Sequence, residues 1–224
     1  MAGFETREQD VGVRTQRRPD PGAAHEAVSI RPARTSELGQ VARLFAPALR
    51  PYRGSGSDWV LDAYLAELVD VRPRFDEAEV LVAERDGRIV GTVAFYADVR
   101  LEGWSNLPAG WAGFRALAVH PRMRGAGVGE ALVHRCVERT RDVGAETLGI
   151  HTIAVLTDAM RLYGRVGFVR CPEFDLPAAD IFPSENADEM VGLAFRLDVE
   201  RAPHERAEDQ AIGPRTVTEP GSTT

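Results

Sequence analysis

The order of apolar and polar positions divides the chain into alternating strand and helix signals between two polar ends. Residues 27–31 predict a short opening strand. Leu38, Val41, Ala42, Leu44, Phe45 and Leu49 then recur three and four apart, the spacing of an amphipathic helix. Pro51 and the run 54–57 break that helix from a second over 58–69, with Ser57 placed as its N-cap. Trp59 and Tyr64 on these helices read as core. Runs 79–84 and 88–96 are apolar and β-branched, and Arg85-Asp86-Gly87 between them predicts a hairpin. Strand character returns over 112–119. The helix expected over 127–142 carries Ala131, Leu132, Cys136 and Val137 on one side and Glu130, Arg135, Glu138, Arg139 and Arg141 on the other. Gly144 ends it, and a strand at 147–152, a helix at 158–165 and strands at 167–170 and 189–197 complete the pattern. One α/β domain over 27–199 is predicted, with disordered tails at 1–26 and 200–224, which are polar, proline-bearing and without period.

Two connections are long for such a domain and carry reactive or aromatic residues, as binding loops do. Residues 97–111 hold Asp98, Arg100, Glu102, Trp104 and Trp111, and residues 172–188 are acidic and proline-rich. The chain has 224 residues and a formal net charge of −7, with no lysine and no block of basic residues between Ala27 and Glu200. That balance disfavours nucleic acid and anionic membrane as partners. Cys136 and Cys171 are too few for a disulfide framework and lack metal-ligand spacing, so no metal is expected. With no secretory pattern at the start and no apolar run near the length of a membrane span, a soluble, cytoplasmic protein is expected.

The chemistry concentrates in the stretch from Leu117 to Thr140, where a short buried strand meets a loop with Gly125, Gly127 and Gly129 and then a helix. Glycines let a loop turn its N–H groups inward, and the helix behind adds free N–H groups and the positive end of its dipole. The result is an anion cradle of pyrophosphate size. A Walker loop is excluded because it ends in Gly-Lys-Ser/Thr. A dinucleotide fingerprint fits poorly, since the third glycine comes one position early and no acidic residue closes the 147–152 strand.

Arg124-Gly125-Ala126-Gly127-Val128-Gly129 instead resembles the R/Q-x-x-G-x-G/A segment of the GNAT superfamily of N-acetyltransferases. Leu117-Ala118-Val119-His120-Pro121 looks like that family's fourth strand and its exit. Downstream, Ala159, Leu162, Tyr163, Gly167 and Phe168 are similar to its A-x-x-L-Y-x-x-x-G-F segment. The resemblance implies a mixed, mostly antiparallel twisted sheet of six to seven strands with helices on both faces, splayed between the fourth and fifth strands.

It also implies acetyl-CoA as cosubstrate and an amine as acceptor. Main-chain groups of Leu117 and Val119, beside Ala118, would pair with the pantetheine arm, and N–H groups from Arg124 through Gly125, Ala126, Gly127, Val128 and Gly129 to Glu130 would take the pyrophosphate. Arg122 and Arg165 could meet the outer phosphates, and Leu156 occupies the cofactor contact at which the family usually has Asn. Tyr163 matches the family's general acid. Arg115 stands where many members carry a glutamate base, and arginine cannot accept a proton. His151 on the fifth strand is the substitute base, since imidazole titrates near neutrality; Glu84, Asp98 and His120 are weaker alternatives.

Aromatic and acidic residues in 54–59, 98–111 and 171–188 favour a cationic small-molecule amine over a protein N-terminus or lysine. A non-catalytic acyl-CoA-binding module is the competing reading, and homodimerisation stays open.

Overall fold

The computed structural model describes residues 28–54, 58–103, 105–177 and 191–200. The elements in order are β1 (Ser29–Pro32), α1 (Leu38–Leu49), α2 (Asp58–Val69), α3 (Arg72–Glu77), β2 (Glu79–Arg85), β3 (Arg88–Tyr96), β4 (Ala112–Val119), α4 (Val128–Asp142), β5 (Thr147–Ile153), α5 (Thr157–Val166), β6 (Val169–Arg170), β7 (Leu176–Pro177) and β8 (Val191–Asp198). They form a sheet in the order β1-β2-β3-β4-β5-β8-β6, with β7 also on β8. All the pairings are antiparallel except that of β4 with β5.

Helices cover both faces, which explains why β2 is an unbroken apolar run rather than an alternating one. Its Leu81 and Ala83 pack toward α4 and α5 with Val93, Phe95, Leu132 and Tyr163. Val80 and Val82 pack the other way, toward α1 and α2 with Val41, Phe45, Leu61 and Tyr96. Asp86 and Gly87, at φ 51° and 70°, make the left-handed turn that closes the β2–β3 hairpin. Cys136 is wholly buried in α4 as a small apolar residue.

Three details differ from the sequence pattern. Among the described residues the sheet has eight strands where six to seven are expected, because the two-residue β7 pairs with β8 inside the expected 172–188 loop. The short α3 carries no amphipathic period long enough to predict; its buried Arg74 donates to Glu67 and to the carbonyls that end α2. The 97–111 connection is partly ordered as a 3-10 turn over Val99–Glu102, started by Asp98, whose side chain accepts from the Arg100 amide. Ser57, Trp104, residues 178–190, the predicted tail at 1–26 and the other predicted tail beyond Glu200 lie outside the described residues.

A bulge in β4 decides which side chains of the strand reach which face. Thr92 pairs with Ala118 and Ala94 with Arg115, so Ala116 and Leu117 together face Val93. Ala116 sits at φ 56°, a left-handed conformation that costs a non-glycine residue about 1–2 kcal/mol. The extra residue switches the strand's faces: Ala112 and Phe114 join the α4 side of the core, whereas Ala116 and Ala118 join the α1 side.

β4 and β5 pair only at Ala112 with Leu148 and Gly113 with Gly149, and then separate. Both glycines are needed for space. A Cβ on Gly149 would lie 2.7 Å from Leu107 Cδ1 and 2.9 Å from Trp111 Cε3, and one on Gly113 would lie 2.6 Å from Val99 Cγ1. The 97–111 connection therefore packs directly onto the sheet at the point of separation. Gly149→Ala should cost about 1–3 kcal/mol through overpacking, read as a lowered denaturation midpoint with an unchanged slope; an unchanged midpoint would mean that the loop yields freely.

Candidate functional site

Past Gly113 and Gly149 the gap between β4 and β5 opens into a cavity of about 660 Å³, walled by α1, α2, the glycine loop and α5. The strand edge facing it follows from alternation. The His120 amide donates to Val90 on β3 at 2.8 Å, so the main chain of Ala118 also turns toward β3, and that of Leu117 and Val119 turns toward the gap. All three residues line the cavity, with Ala118 contributing its small side chain.

The glycine loop forms one end. Pro121–Met123 is a 3-10 turn, and Gly127 caps α4 at φ 77° with no side-chain cap. The first helical bond runs from the Ala131 amide to Gly127 O at 2.9 Å. The amides of Val128, Gly129 and Glu130 precede it in the first turn, where a helix has no internal acceptor to offer. Two expected contributors differ: the Arg124 and Ala126 amides bond to Pro121 and Met123 carbonyls at 3.3 Å, because the turn that aims the loop uses them. Gly125, Gly127, Val128, Gly129 and Glu130 line the cavity, and Ala126 does not. The amides of α4's first turn, with the helix dipole behind them, suit a diphosphate.

Arg124 ties this loop to the opposite wall. Its Nη2 donates to Ala48 O at 2.6 Å, its guanidinium lies 5.6 Å over the Tyr52 ring, and Nη1 stands 3.5 Å from Asp158. Tyr52 donates to the same Asp158 at 2.9 Å. The end of α1, the glycine loop and the start of α5 are thereby joined at the cavity wall. Arg161 and Arg165 on α5 also line it, while Arg122 does not. Four arginines on these walls, counting Arg115, offset the acidic net charge where an anion would enter.

Tyr163 lines the cavity from α5 and is 5 % exposed. Its ring packs edge-on against Phe114 at 5.8 Å and tilted against Phe168 at 5.6 Å. Burial pushes the phenol well above its ordinary value, so it stays protonated at physiological pH. Leu156 lines the wall with an apolar side chain, and its amide bonds Ile153 O at the start of α5.

His151 lines the cavity from β5, and Nε2 lies 2.9 Å from Phe174 O. A carbonyl only accepts, so Nε2 carries the proton and Nδ1 keeps the lone pair. Burial pushes the imidazole below its ordinary value, which leaves it neutral near pH 7. The other suggested bases stand apart from the cavity. Glu84 accepts from Arg31 at 2.8 Å, Asp98 pairs with Arg100, which holds it at about 2, and His120 Nδ1 accepts from the Arg122 amide at 3.3 Å. Trp111, expected in an acceptor loop, instead packs edge-on to Phe174 at 5.6 Å in a small core of its own.

Arg115, next to Phe114 and therefore on the opposite face of the strand, lines the cavity on the α2 side, and Nη2 meets Glu67 at 2.7 Å. Glu67 also holds Arg74 at 2.6 Å. One residue that the sequence pattern did not single out joins them: Glu102, at the end of the 3-10 turn, is 7 % exposed and lines the cavity. Removal from water pushes its carboxyl up to about 8, against the pull of Arg115. Its only sequence signal was an acidic residue in a long loop. Among the described residues no group of three or more His, Cys, Asp or Glu is placed to hold a metal, and no helix is long and apolar enough to cross a membrane.

A sheet that parts between its fourth and fifth strands, with a glycine loop and helix N-terminus at the opening, defines a class, and residues 40–168 match the acetyltransferase (GNAT) family. The chain belongs to that family. It is 33 % identical over 155 residues to a mycothiol acetyltransferase of Sanguibacter keddieii, covering 64 % of this chain and 44 % of the relative. It is 35 % identical over 99 residues to a mycothiol acetyltransferase of Cellulomonas flavigena, covering 44 % and 28 %. The chain thus spans less than half the length of the curated relatives it matches. The solved paiA N-acetyltransferase of Thermoplasma acidophilum, in complex with coenzyme A, aligns with a TM-score of 0.56 at 13 % identity over 77 % of this chain and 99 % of that one, a likeness of fold.

Gly127→Ala should strain the left-handed cap by about 1–2 kcal/mol and turn the first amides of α4 out of line. Calorimetry should then show coenzyme A binding weakened by about tenfold for each 1.4 kcal/mol of lost contact, with the helical circular dichroism retained; wild-type affinity would exclude the loop from binding.

Proposed function

We propose that the chain is an acetyl-CoA-dependent N-acetyltransferase acting on a primary amine of small size, with Tyr163 as general acid. The observation that carries this reading is the unpaired edge of β4 at Leu117 and Val119 leading to the open amides at the start of α4, one continuous main-chain surface for a long amide-bearing anion. When bound, acetyl-CoA supplies the activated acetyl group as a thioester. Family membership and two relatives named mycothiol acetyltransferase support acetyl as the acyl group and favour a small acceptor over a protein.

The residues divide the work. Leu117 and Val119 hold the pantetheine arm by main-chain bonds, and Val128, Gly129 and Glu130 hold the diphosphate. Arg124 and Arg165 balance charge at the opening. Tyr163 donates to the departing sulfur; its burial keeps it a donor across the working pH range. His151, neutral, lines the same cavity and can help position the acceptor.

Acetyl-CoA-dependent thiol release on a panel of primary amines and amine-bearing peptides tests the reading, with turnover expected on the small amines and not on the peptides. Tyr163→Phe keeps the aromatic packing and should lower kcat by about 10²–10³-fold with coenzyme A affinity unchanged. Unaltered turnover would remove Tyr163 from the chemistry.

A further inference from the structure

A carboxylate occupies the space above the last paired residue of β4. A Cβ on Gly113 would meet Glu102 Oε1 at 2.8 Å, so the end of that side chain rests on the strand where the cleft begins. Glu102 lines the cavity, is 7 % exposed, and its Oε1 has no hydrogen-bond partner among the described residues. A buried acceptor left without a donor is destabilising, and a cation brought in by the substrate would supply the missing donor. Arg115 is directed to Glu67 by their 2.7 Å ion pair.

We propose that Glu102 is the catalytic base of the transfer, its carboxylate binding the acceptor's ammonium in the cleft and taking its proton. The proposal rests on the transferase reading and deepens it to a cationic primary amine. The carboxylate comes from the turn that precedes β4 and lies over Gly113.

The surroundings suit the task. An alkylammonium ion releases its proton near pH 10, about six units above an ordinary glutamate, which is too wide a gap for efficient transfer. Glu102, pushed up to about 8 chiefly by its removal from water, narrows that gap to about two units. Arg115 from β4 pulls its pKa down, while Glu67 from α2 pushes it up. Tyr64 of α2 and Tyr96 of β3 act on Arg115 beside it.

Protons and electron pairs balance across the transfer. The ammonium gives one proton to the Glu102 carboxylate, and the freed lone pair forms the N–C bond at the thioester carbonyl carbon. The C–S bond breaks with its electron pair on sulfur, which takes the Tyr163 proton; the second proton leaving nitrogen refills the phenol. Glu102 returns its proton to water, so one proton is released for each acetyl group moved.

Glu102→Gln keeps the shape and removes the base. With the full chain, calorimetry should give equal coenzyme A affinity for both proteins. On the primary-amine panel, wild-type kcat/KM should rise through an apparent pKa near 8, whereas the variant loses that limb and about 10²-fold or more in rate. A second readout needs no turnover. A carboxyl whose folded pKa lies above its unfolded value costs stability as pH rises from about 4.5 to about 8. The wild-type melting temperature should therefore fall across that window relative to the variant's. A variant with wild-type rate and pH limb overturns the proposal, and so do two proteins melting with the same pH dependence. A wild type that binds coenzyme A and acetylates none of the amines overturns it while sparing the cofactor site. One that takes up no coenzyme A overturns the transferase reading beneath it.

Discussion

Two parallel strands that pair for only two residues and then part impose most of what matters here. Beyond Gly113 and Gly149 the facing edges of β4 and β5 are without each other, and main-chain groups that a continuous sheet would consume are turned toward a cavity instead. Such groups are costly to leave unmet. The arrangement persists because both flanks are fixed. β4 is held by β3 through the bulge at Ala116, and β5 pairs with β8 along its whole length from Thr147 to Ile153. The gap is thus a rigid slot between two well-packed half-sheets, which is what a ligand that behaves as an added strand requires.

Charge inside the slot is managed by pairing and not by exposure. Arg74, Glu67 and Arg115 form a chain of ion pairs at 2.6 and 2.7 Å, with Glu67 and Arg74 on the helices of the α1–α2 face and Arg115 on the strand beneath them. Breaking such a chain leaves an uncompensated charge, a larger loss than the pairs themselves are worth. Glu102 lies near Arg115 without joining the chain, since its Oε1 has no hydrogen-bond partner among the described residues. Its place depends on two residues without side chains, because a methyl group on Gly113 would displace its carboxyl and one on Gly149 would push out the Leu107 and Trp111 packing that carries the loop.

Local sequence carried the elements whose cause is local. The helical spacing of Leu38 to Leu49, the Asp86-Gly87 turn, the glycine loop and the strand before it are all set by neighbours within a few residues, and the structure holds them close to where the pattern put them. Residues whose role depends on distant chain were not legible. Arg115 could be seen to lack a lone pair, but its partner Glu67 lies 48 positions away. Glu102 reads as one acid among several in a loop, and only the fold sets it apart from Asp98 and Glu84, which are held by Arg100 and Arg31. Trp111 suggested a binding surface and is used in packing, since only the fold reveals that Phe174 and Gly149 meet it. β7 is not legible because two residues ending in proline carry no strand period.

The measurement that bears most directly on the slot is amide NMR of the isotope-labelled chain titrated with coenzyme A. Saturable shifts should concentrate at Leu117, Val119 and Gly127 to Glu130, with the Ala118 and Ala126 amides, already bonded within the protein, moving little. Shifts scattered over the surface, or confined to residues outside the gap between β4 and β5, would contradict a cofactor site built on the parted strands.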